Sequence, residues 1–316
     1  MKISAIVPVC NSESTIAKTI ESLLNQDYKI DEIIVVDDGS SDKTPEIALK
    51  YPVKLIRKKR GGEASALNCG IKKASGDYLA IVEADVILPK NWISSLFAEF
   101  QYLEVYGAGA ILEVANPENL IAKLSGYELE YRYRKIKEKF VRHITSANTL
   151  YRKEVFDKVG YYNESLVNAC LDADLNGRLI KQGYKLVLRK DIKVKHFWKT
   201  DLLSYLKRQL AYSFYRPRLK ELSLYPTDRS IIFQVSLTVL FFLSFFLWPV
   251  YNFFPYLTLI FFAAVLSIQI PMVSQMFQLK RDWDLFWLPF LIFLRNIVSL
   301  FGYISGFIYK IIRVKK

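Results

Sequence analysis

Residues 32–40, EIIVVDDGS, have the pattern of a β-strand that is buried on both faces and ends in two carboxylates and a turn. YLAIVEADVIL (78–88) repeats that pattern, with an apolar run that leads into a second pair of carboxylates. ISAIVPV (3–9) and VKLIRKK (53–59) are further strand candidates. Because the apolar runs are continuous rather than alternating, they predict a sheet that helices cover on both sides.

Helical patterns separate these strands along the chain. Ile16, Ile20 and Leu23 follow the first strand at helical spacing, Thr44-Pro45-Glu46 has the residue types of a helix start, and residues 63–74 form a third helix candidate. Alternation of strands and helices predicts an α/β domain with a mostly parallel sheet. Ligands of such sheets bind beyond the carboxyl ends of the strands, which is where both pairs of carboxylates fall.

The composition is both basic and apolar. The 316 residues include 44 Lys and Arg against 31 Asp and Glu, a net charge of +13, and 52% are hydrophobic. This excludes a disordered chain and leaves a membrane-surface protein or a nucleic-acid binder. However, Ser230 to Gln278 is a tract of about 49 residues without a charge. A membrane-spanning helix needs roughly 20 residues, so we expect two spans, at about 230–250 and 255–277. Two such spans argue against a nucleic-acid binder.

A third apolar segment covers residues 285–309 and is interrupted by Arg295. The turn at Lys280-Arg281 before it and the tail RVKK (313–316) after it are both basic. Basic flanks favour the cytoplasmic side, so we expect both ends on that side and the segment not to cross. Its Gly302-x-x-x-Gly306 pattern is compatible with close helix packing.

The N-terminal apolar run is too short for a signal peptide and leads directly into a helix-start pattern. The three cysteines are far apart, which fits a reducing compartment better than a disulfide framework. We therefore expect a multi-pass protein of the cell membrane with a cytoplasmic head. The predicted parts are a head at 1–200, a basic amphipathic juxtamembrane segment at 201–228 and a membrane domain at 229–316.

Three acidic groups are candidates for chemistry. Asp37-Asp38-Gly39-Ser40 follows the second strand, but Asp-Gly-Ser is also ordinary turn chemistry. Glu83 and Asp85 are two apart, so on a strand they share a face and can hold a hard divalent cation. Asp172 and Asp174 fall in the first turn of a predicted helix. The helix dipole favours a carboxylate there, but it does not explain why a second one is present so close to the first.

Five blocks in this order resemble the family 2 glycosyltransferases. The blocks are VPVCNSE, VVDDGSSDKT, RGGEASALNCGIKKASGDYLAIVEAD, SANTLYRKEVFDKVGYYNESL and LDADLNGRLIKQG, and the match covers roughly residues 2–190. The resemblance implies a GT-A fold (a Rossmann-like, mostly parallel α/β domain), here followed by C-terminal transmembrane helices. It also implies a nucleotide sugar as donor, Mg²⁺ or Mn²⁺ as cofactor, and inversion at the anomeric carbon.

Roles for individual residues follow from the same resemblance. Glu83-Ala84-Asp85 takes the place of the family's D-x-D motif, so Glu83 and Asp85 would hold the metal, and His196 would complete the site unless it is only a satisfied histidine at a strand end. Asp172 matches the catalytic carboxylate and would act as general base on the acceptor hydroxyl. The residues implied to contact the donor are Pro8, Glu13, Asp38, Lys59, Arg60, Glu83, Asp85 and Asn148.

This sequence departs from the family pattern at two positions. Glu83 stands where Asp is usual, and Leu171 stands where Glu commonly precedes the catalytic Asp. The Q-x-x-R-W motif of processive synthases is absent, which favours addition of a single sugar.

The acceptor is expected to be lipid-linked, because basic, aromatic stretches at 117–142 and 201–222 suit an anionic membrane surface. The acceptor could be a polyprenyl phosphate or a lipid-linked sugar. Membrane lipids are expected as further partners. The alternatives are a polyprenyl-phosphate monosaccharide synthase and, because of Glu83 and Leu171, a non-catalytic GT-A-like membrane scaffold.

Overall fold

The computed structural model describes residues 1–167, 169–219 and 229–314. These residues form two compact units. The first unit comprises Met1–Asn116 and Arg132–Trp198, and the second comprises Pro117–Tyr131 and the described residues from Lys199 onward. The predicted head at 1–200 therefore differs from the first unit, because residues 117–131 cluster with the C-terminal helices instead.

The described part of the first unit contains one nine-stranded sheet. Its strands are β1 (Ile3–Val9), β2 (Glu32–Asp37), β3 (Lys54–Arg57), β4 (Tyr78–Val82), β5 (Val86–Ile87), β6 (Val105–Val114), β7 (Phe140–Val141), β8 (Asn148–Arg152) and β9 (Lys185–His196). The order across the sheet is β3-β2-β1-β4-β8-β6-β9-β5, and β7 pairs with β9. The four strands from β3 to β4 are parallel, as the sequence predicted, whereas β8 is antiparallel to both of its neighbours.

Helices follow β1, β2 and β3 in the alternation that the sequence indicated, and further helices lie among the later strands. They are α1 (Ile16–Leu24), α2 (Thr44–Ala48), α3 (Glu63–Lys73), α4 (Trp92–Phe97), α6 (Glu154–Val159) and α7 (Leu171–Lys181), while α5 (Leu120–Lys135) contributes to both units. The apolar side chains of β1, β2 and β4 are buried on both faces of the sheet. Burial of this continuous apolar surface is the main stabilising term of the unit.

The strand predicted over 78–88 is two strands rather than one. β4 ends at Val82, and β5 begins at Val86 and pairs with β9 instead of continuing along β1. The hydroxyl of Thr19 lies 2.9 Å from the carbonyl oxygen of Ala84 and 2.8 Å from that of Val86, and its single proton is shared between them. The prediction of one strand was therefore wrong, because a buried hydroxyl from α1 stabilises the backbone where the chain leaves β4.

The second unit is helical over its described residues. Beyond the first part of α5 it contains α8 (Leu202–Tyr215), α9 (Arg229–Phe246), α10 (Phe254–Ser267), α11 (Ile270–Lys280) and α12 (Leu288–Val314). Two helical stretches, Phe254–Lys280 and Trp283–Ile312, are long and apolar enough to cross a membrane, and Phe233–Phe246 is a shorter apolar helix.

These helices bear on the predicted spans. The predicted span at 255–277 lies within the first long stretch, and the span predicted at about 230–250 corresponds to the shorter α9. The segment expected not to cross, 285–309, lies within a stretch whose length and composition allow it to cross. The topology of this segment stays a prediction, and so does the amphipathic role of residues 201–228. Residues 220–228, and Lys315 and Lys316 of the tail, lie outside the described residues.

The Gly302-x-x-x-Gly306 pattern packs closely, as predicted, and its partner is α8. A Cβ atom on Gly302 would lie 2.6 Å from the Ser213 Cβ, and one on Gly306 would overlap the carbonyl oxygen of Phe214. Any side chain at these positions would therefore push α8 and α12 apart.

Ion pairs join the first part of α5 to the C-terminal helices within the second unit. Arg295, in the apolar helix α12, is 5% exposed and binds the carboxylate of Glu128, which is 9% exposed. Lys280 pairs with Glu130 at 2.8 Å, and Lys123 contacts two aspartates of the turn before α12. A buried charge is tolerated only when it is paired, so Glu128 explains the charge that interrupts α12.

We predict that Arg295→Met destabilises the second unit by about 3–5 kcal/mol, because it leaves the Glu128 carboxylate buried without its cation. Thermal and denaturant unfolding of the full chain in detergent would measure the change. The double variant Glu128→Leu/Arg295→Met should recover most of the loss, since an apolar pair replaces an ion pair at little net cost. Asp284→Asn, whose side chain is 44% exposed, is the control and should cost less than about 1 kcal/mol. An Arg295→Met protein as stable as the wild type would contradict this account.

Candidate functional site

Three side chains with metal-binding atoms meet just after β4 ends. The ligand atoms of Glu83, Asp85 and His196 all lie within 4.8 Å of one another. The Nε2 atom of His196 is 3.5 Å from Glu83 Oε2 and 3.5 Å from Asp85 Oδ1. The structure therefore brings together the three residues that the sequence assigned to a metal, although His196 is more than 100 positions along the chain from the other two.

The donor set fits Mn²⁺ or Mg²⁺. Two carboxylates provide the hard oxygen ligands that both ions prefer, and one imidazole nitrogen lies beside them as a third ligand atom. His196 is 2% exposed, and its Nδ1 atom is buried and has no hydrogen-bond partner among the described residues. Since Nε2 is the nitrogen that faces both carboxylates, it is the atom that the imidazole presents to a cation bound there.

The backbone around this cluster is fixed from three sides. Glu83 N–H donates to the Ala147 carbonyl at 3.1 Å, and Phe197 N–H donates to the Asp85 carbonyl at 2.9 Å. The third contact is the Thr19 hydroxyl already described. The two carboxylates are therefore positioned by the end of the sheet and by α1, and not by a free loop.

Thr19→Val should weaken Mn²⁺ binding about tenfold, because it keeps the shape of the side chain and removes the hydroxyl that orients residues 84–86. Isothermal titration of the purified full chain with MnCl₂ would measure the affinity. Ser22→Ala is the matched control, since the Ser22 hydroxyl lies one turn further along α1 and donates to the carbonyl of Thr19 at 2.8 Å. Equal affinities for Thr19→Val and the wild type would show that the hydroxyl does not position the cluster.

The carboxylate of Asp38 organises the loop that follows β3. Asp38 is buried and accepts hydrogen bonds from Gly61 N–H at 2.9 Å, Gly62 N–H at 2.7 Å and the Lys58 ammonium at 2.5 Å. Gly62 has φ +90°, which favours glycine, and α3 begins at the next residue. The structure thus gives Asp38 the role of holding the loop that carries Lys59 and Arg60. A contact between Asp38 and a nucleoside stays a prediction.

Glu13 joins the ends of β1 and β2 on the same edge of the sheet. Its Oε2 atom accepts from Lys43 N–H at 3.0 Å, and its own N–H donates to Asp42 at 3.1 Å. Burial would raise the pKa of Asp42, but hydrogen bonds from Thr44 and Glu13 lower it overall. Pro8 lies opposite Val36 in the β1–β2 register, one residue before β1 ends.

The thiol of Cys10 reports the charges at this edge. Burial raises the pKa of Cys10, the positive charge of Arg60 opposes the shift, and the negative charges of Asp38 and Asp37 add to it. The geometry agrees, because Asp38 N–H donates to the Val9 carbonyl at 2.9 Å and Arg60 N lies 3.1 Å from the position of a Cβ on Gly39. This gathers Pro8, Glu13, Asp38 and Arg60 where α/β sheets bind nucleotides.

Asp172 lies in the first turn of α7, with its side chain 20% exposed. Its Oδ1 atom accepts from Ala173 N–H at 2.7 Å, and its Oδ2 atom is 3.5 Å from His143 Nε2. Burial raises the pKa of both Tyr133 and Tyr151, and the nearby charge of Asp172 raises it further. Asp172 therefore combines a fixed oxygen with a second oxygen that faces a histidine.

Asp174 has a structural role. It pairs with Arg178 at 2.9 Å, and Arg178 donates to the carbonyls of Gly160 and Tyr161 at 2.8 Å each. The pair holds the segment after α6 against α7. Of the two carboxylates in this turn, only Asp172 remains for chemistry.

Sequence reasoning missed His143 and Asn176. Asn176 Nδ2 lies 3.1 Å from His143 Nδ1 and donates to the Ile144 carbonyl at 2.7 Å. Asn176 could have been noticed because it is one turn beyond Asp172 on the same helix face. No pattern in the sequence connects His143 with a helix that begins 28 positions later.

Asn148 has a structural role beyond the donor contact predicted for it. It is fully buried, its Oδ1 atom accepts from Ala110 N–H at 2.8 Å, and its Nδ2 atom donates to the Ala110 carbonyl at 3.2 Å. The amide therefore joins β8 to β6 in place of a backbone pair. The donor contact stays a prediction.

Residues 4–160 match the family model described as glycosyl transferase family 2. Glycosyltransferase GlyG of Streptococcus pneumoniae serotype 4 is 37% identical over 105 residues, which are 31% of this chain and 35% of GlyG. The poly-beta-1,6-N-acetyl-D-glucosamine synthase of Staphylococcus aureus strain COL is 27% identical over 195 residues, or 58% of this chain and 47% of the synthase. The chain thus spans about a third to a half of the length of these relatives.

The fold is similar to that of a solved glycosyltransferase. The mannosyltransferase PcManGT from Pyrobaculum calidifontis, solved in complex with GDP-Man and Mn²⁺, has a TM-score of 0.61 and 17% identity. The likeness covers 96% of this chain and 87% of that chain. It shows the GT-A fold that the sequence predicted.

Proposed function

We propose that this chain, a member of glycosyl transferase family 2, is an inverting enzyme that transfers a sugar from a nucleoside diphosphate sugar to a hydroxyl of a lipid-linked acceptor. The observation that carries the proposal is the convergence of Glu83, Asp85 and His196 just after β4 ends, in the same unit as a partly buried carboxylate, Asp172, at the start of α7. The metal cluster and a carboxylate base are the two chemical groups that the reaction requires.

The segment from His143 to Asn148 connects these two groups. His143 contacts Asp172, and the Ala147 carbonyl accepts from Glu83 N–H at 3.1 Å. A contiguous stretch of backbone therefore fixes both the base and the metal cluster. This arrangement supports a single site rather than two unrelated ones.

In the proposed mechanism, the nucleoside lies at the carboxyl ends of β1 and β2, near Pro8, Glu13 and Asp38. Lys59, Arg60 and the first N–H groups of α3 would bind the diphosphate. Glu83, Asp85 and His196 would hold Mn²⁺ or Mg²⁺, which when bound offsets negative charge on the departing diphosphate.

Asp172 would take the proton. As the acceptor oxygen forms its bond to the anomeric carbon, the bond from that carbon to the diphosphate oxygen breaks and the electron pair leaves with the nucleoside diphosphate. The acceptor O–H bond breaks at the same time, and its proton passes to Asp172 Oδ2. Attack on the face opposite to the leaving group inverts the anomeric configuration.

We predict that Asp172→Asn lowers transfer by about 10²–10⁴-fold and leaves donor binding intact, because it removes only the general base. Asp85→Asn should lose Mn²⁺-dependent donor binding as well. The assay is release of nucleoside diphosphate from UDP-glucose, UDP-N-acetylglucosamine and GDP-mannose, with donor binding followed by calorimetry. Asp191→Asn is the control, since its side chain is 61% exposed and pairs with Arg189. If nucleoside diphosphate release is the same in Asp85→Asn, Asp172→Asn and the wild type, the activity comes from a contaminant. That result would favour a non-catalytic scaffold.

The lipid-linked acceptor is supported by the two long apolar helical stretches of the second unit and by the basic α8. With the donor found above, we expect the full chain in detergent to glycosylate a polyprenyl-linked acceptor and not water-soluble oligosaccharides. Product formation on polyprenyl phosphate and on a polyprenyl diphosphate sugar, measured side by side by mass spectrometry, separates a monosaccharide synthase from a glycan-extending enzyme. Glycosylation of soluble sugars alone would contradict a lipid-linked acceptor.

A further inference from the structure

The hydrogen bonds of Asn176 fix the tautomer of His143. Asn176 Oδ1 accepts from the Tyr151 hydroxyl at 3.3 Å, and Nδ2 donates to the Ile144 carbonyl at 2.7 Å. A carbonyl oxygen can only accept, so the amide nitrogen must face Ile144. The same nitrogen lies 3.1 Å from His143 Nδ1, which must therefore act as the acceptor.

A neutral His143 consequently carries its proton on Nε2. That nitrogen is the one that faces Asp172, with 3.5 Å between Nε2 and Oδ2. The other carboxylate oxygen, Oδ1, already accepts from Ala173 N–H at 2.7 Å. The two oxygens of Asp172 are thus directed by different partners, one on the backbone of α7 and one on a side chain from outside the helix.

We propose that His143 is a positioning residue for Asp172. Its Nε2–H keeps the Asp172 side chain in one orientation, with Oδ2 presented to the acceptor hydroxyl. This inference depends on the proposed role of Asp172 as general base. Because Leu171 supplies no polar group beside Asp172, the orienting contact comes instead from a residue 29 positions earlier in the chain.

The chain of contacts from Tyr151 through Asn176 and His143 to Asp172 gives the orientation its rigidity. Asn176 and Tyr151 are fully buried, while the side chains of His143 and Asp172 are 37% and 20% exposed. Fixed partners lie inside the unit, and the groups that face a substrate lie at its surface. A base must be held in place before it can act efficiently, so this gradient of burial suits a catalytic carboxylate.

Two variants of similar size separate positioning from packing. His143→Gln keeps an amide N–H that can face Asp172, whereas His143→Met fills the same space without a donor. We expect His143→Met to lower kcat about tenfold with the KM for the nucleotide sugar unchanged, and His143→Gln to retain most of the wild-type kcat. Arg142→Ala, at the exposed neighbouring position, should leave both constants unchanged.

A double-variant cycle shows whether His143 acts through Asp172. In an Asp172→Asn background, His143→Met should have no further effect on kcat, because the group that it positions is gone. If Asp172→Asn itself keeps full activity, the proposed function is wrong and this inference falls with it. If Asp172→Asn is inactive but His143→Met and His143→Gln have equal kcat, or if His143→Met lowers only the thermal midpoint, the positioning role alone is wrong.

Discussion

The early end of β4, at Val82, is the constraint on which the site depends. If the strand had continued to Leu88 beside β1, Glu83 and Asp85 would have extended along the sheet and remained distant from β9. Instead the backbone turns at Glu83, β5 pairs with β9, and His196 is carried to the two carboxylates. The Thr19 hydroxyl stabilises this break with one buried proton shared by two carbonyls. A single buried hydroxyl can have this effect because an unsatisfied carbonyl in the protein interior is costly.

The first half of the first unit, from β1 to β4 with α1 to α3, could be predicted from the sequence. Continuous apolar runs gave the parallel strands, helix-start residues gave the helices, and the positions of the carboxylates indicated which edge of the sheet carries the site. The break between β4 and β5 could not be predicted, because YLAIVEADVIL is apolar on both sides of it and the interaction that determines it comes from α1. The same limit applies to His143, since its contact with Asp172 depends on an asparagine amide that is fully buried in the folded unit.

The second unit shows a different limit. Hydropathy located the apolar helices, but it treated Arg295 only as an interruption and treated residues 117–142 as a basic surface helix. In the structure, the acidic residues of that helix connect it to the C-terminal helices, because Glu128 and Glu130 form ion pairs with Arg295 and Lys280. Net charge describes a whole segment, whereas pairing depends on which residues face one another, and a period-based pattern cannot supply that information.

The pair between Glu128 and Arg295 also has a consequence for how the protein is made. The two residues are 167 positions apart, and a ribosome adds about 5–20 residues per second. Glu128 therefore exists for roughly 10–30 s before its cation has been synthesised. During that time the sheet of the first unit can assemble from residues already made, while the first part of α5 lacks its partners. The pairing of Glu128 is thus delayed until α12 has left the ribosome.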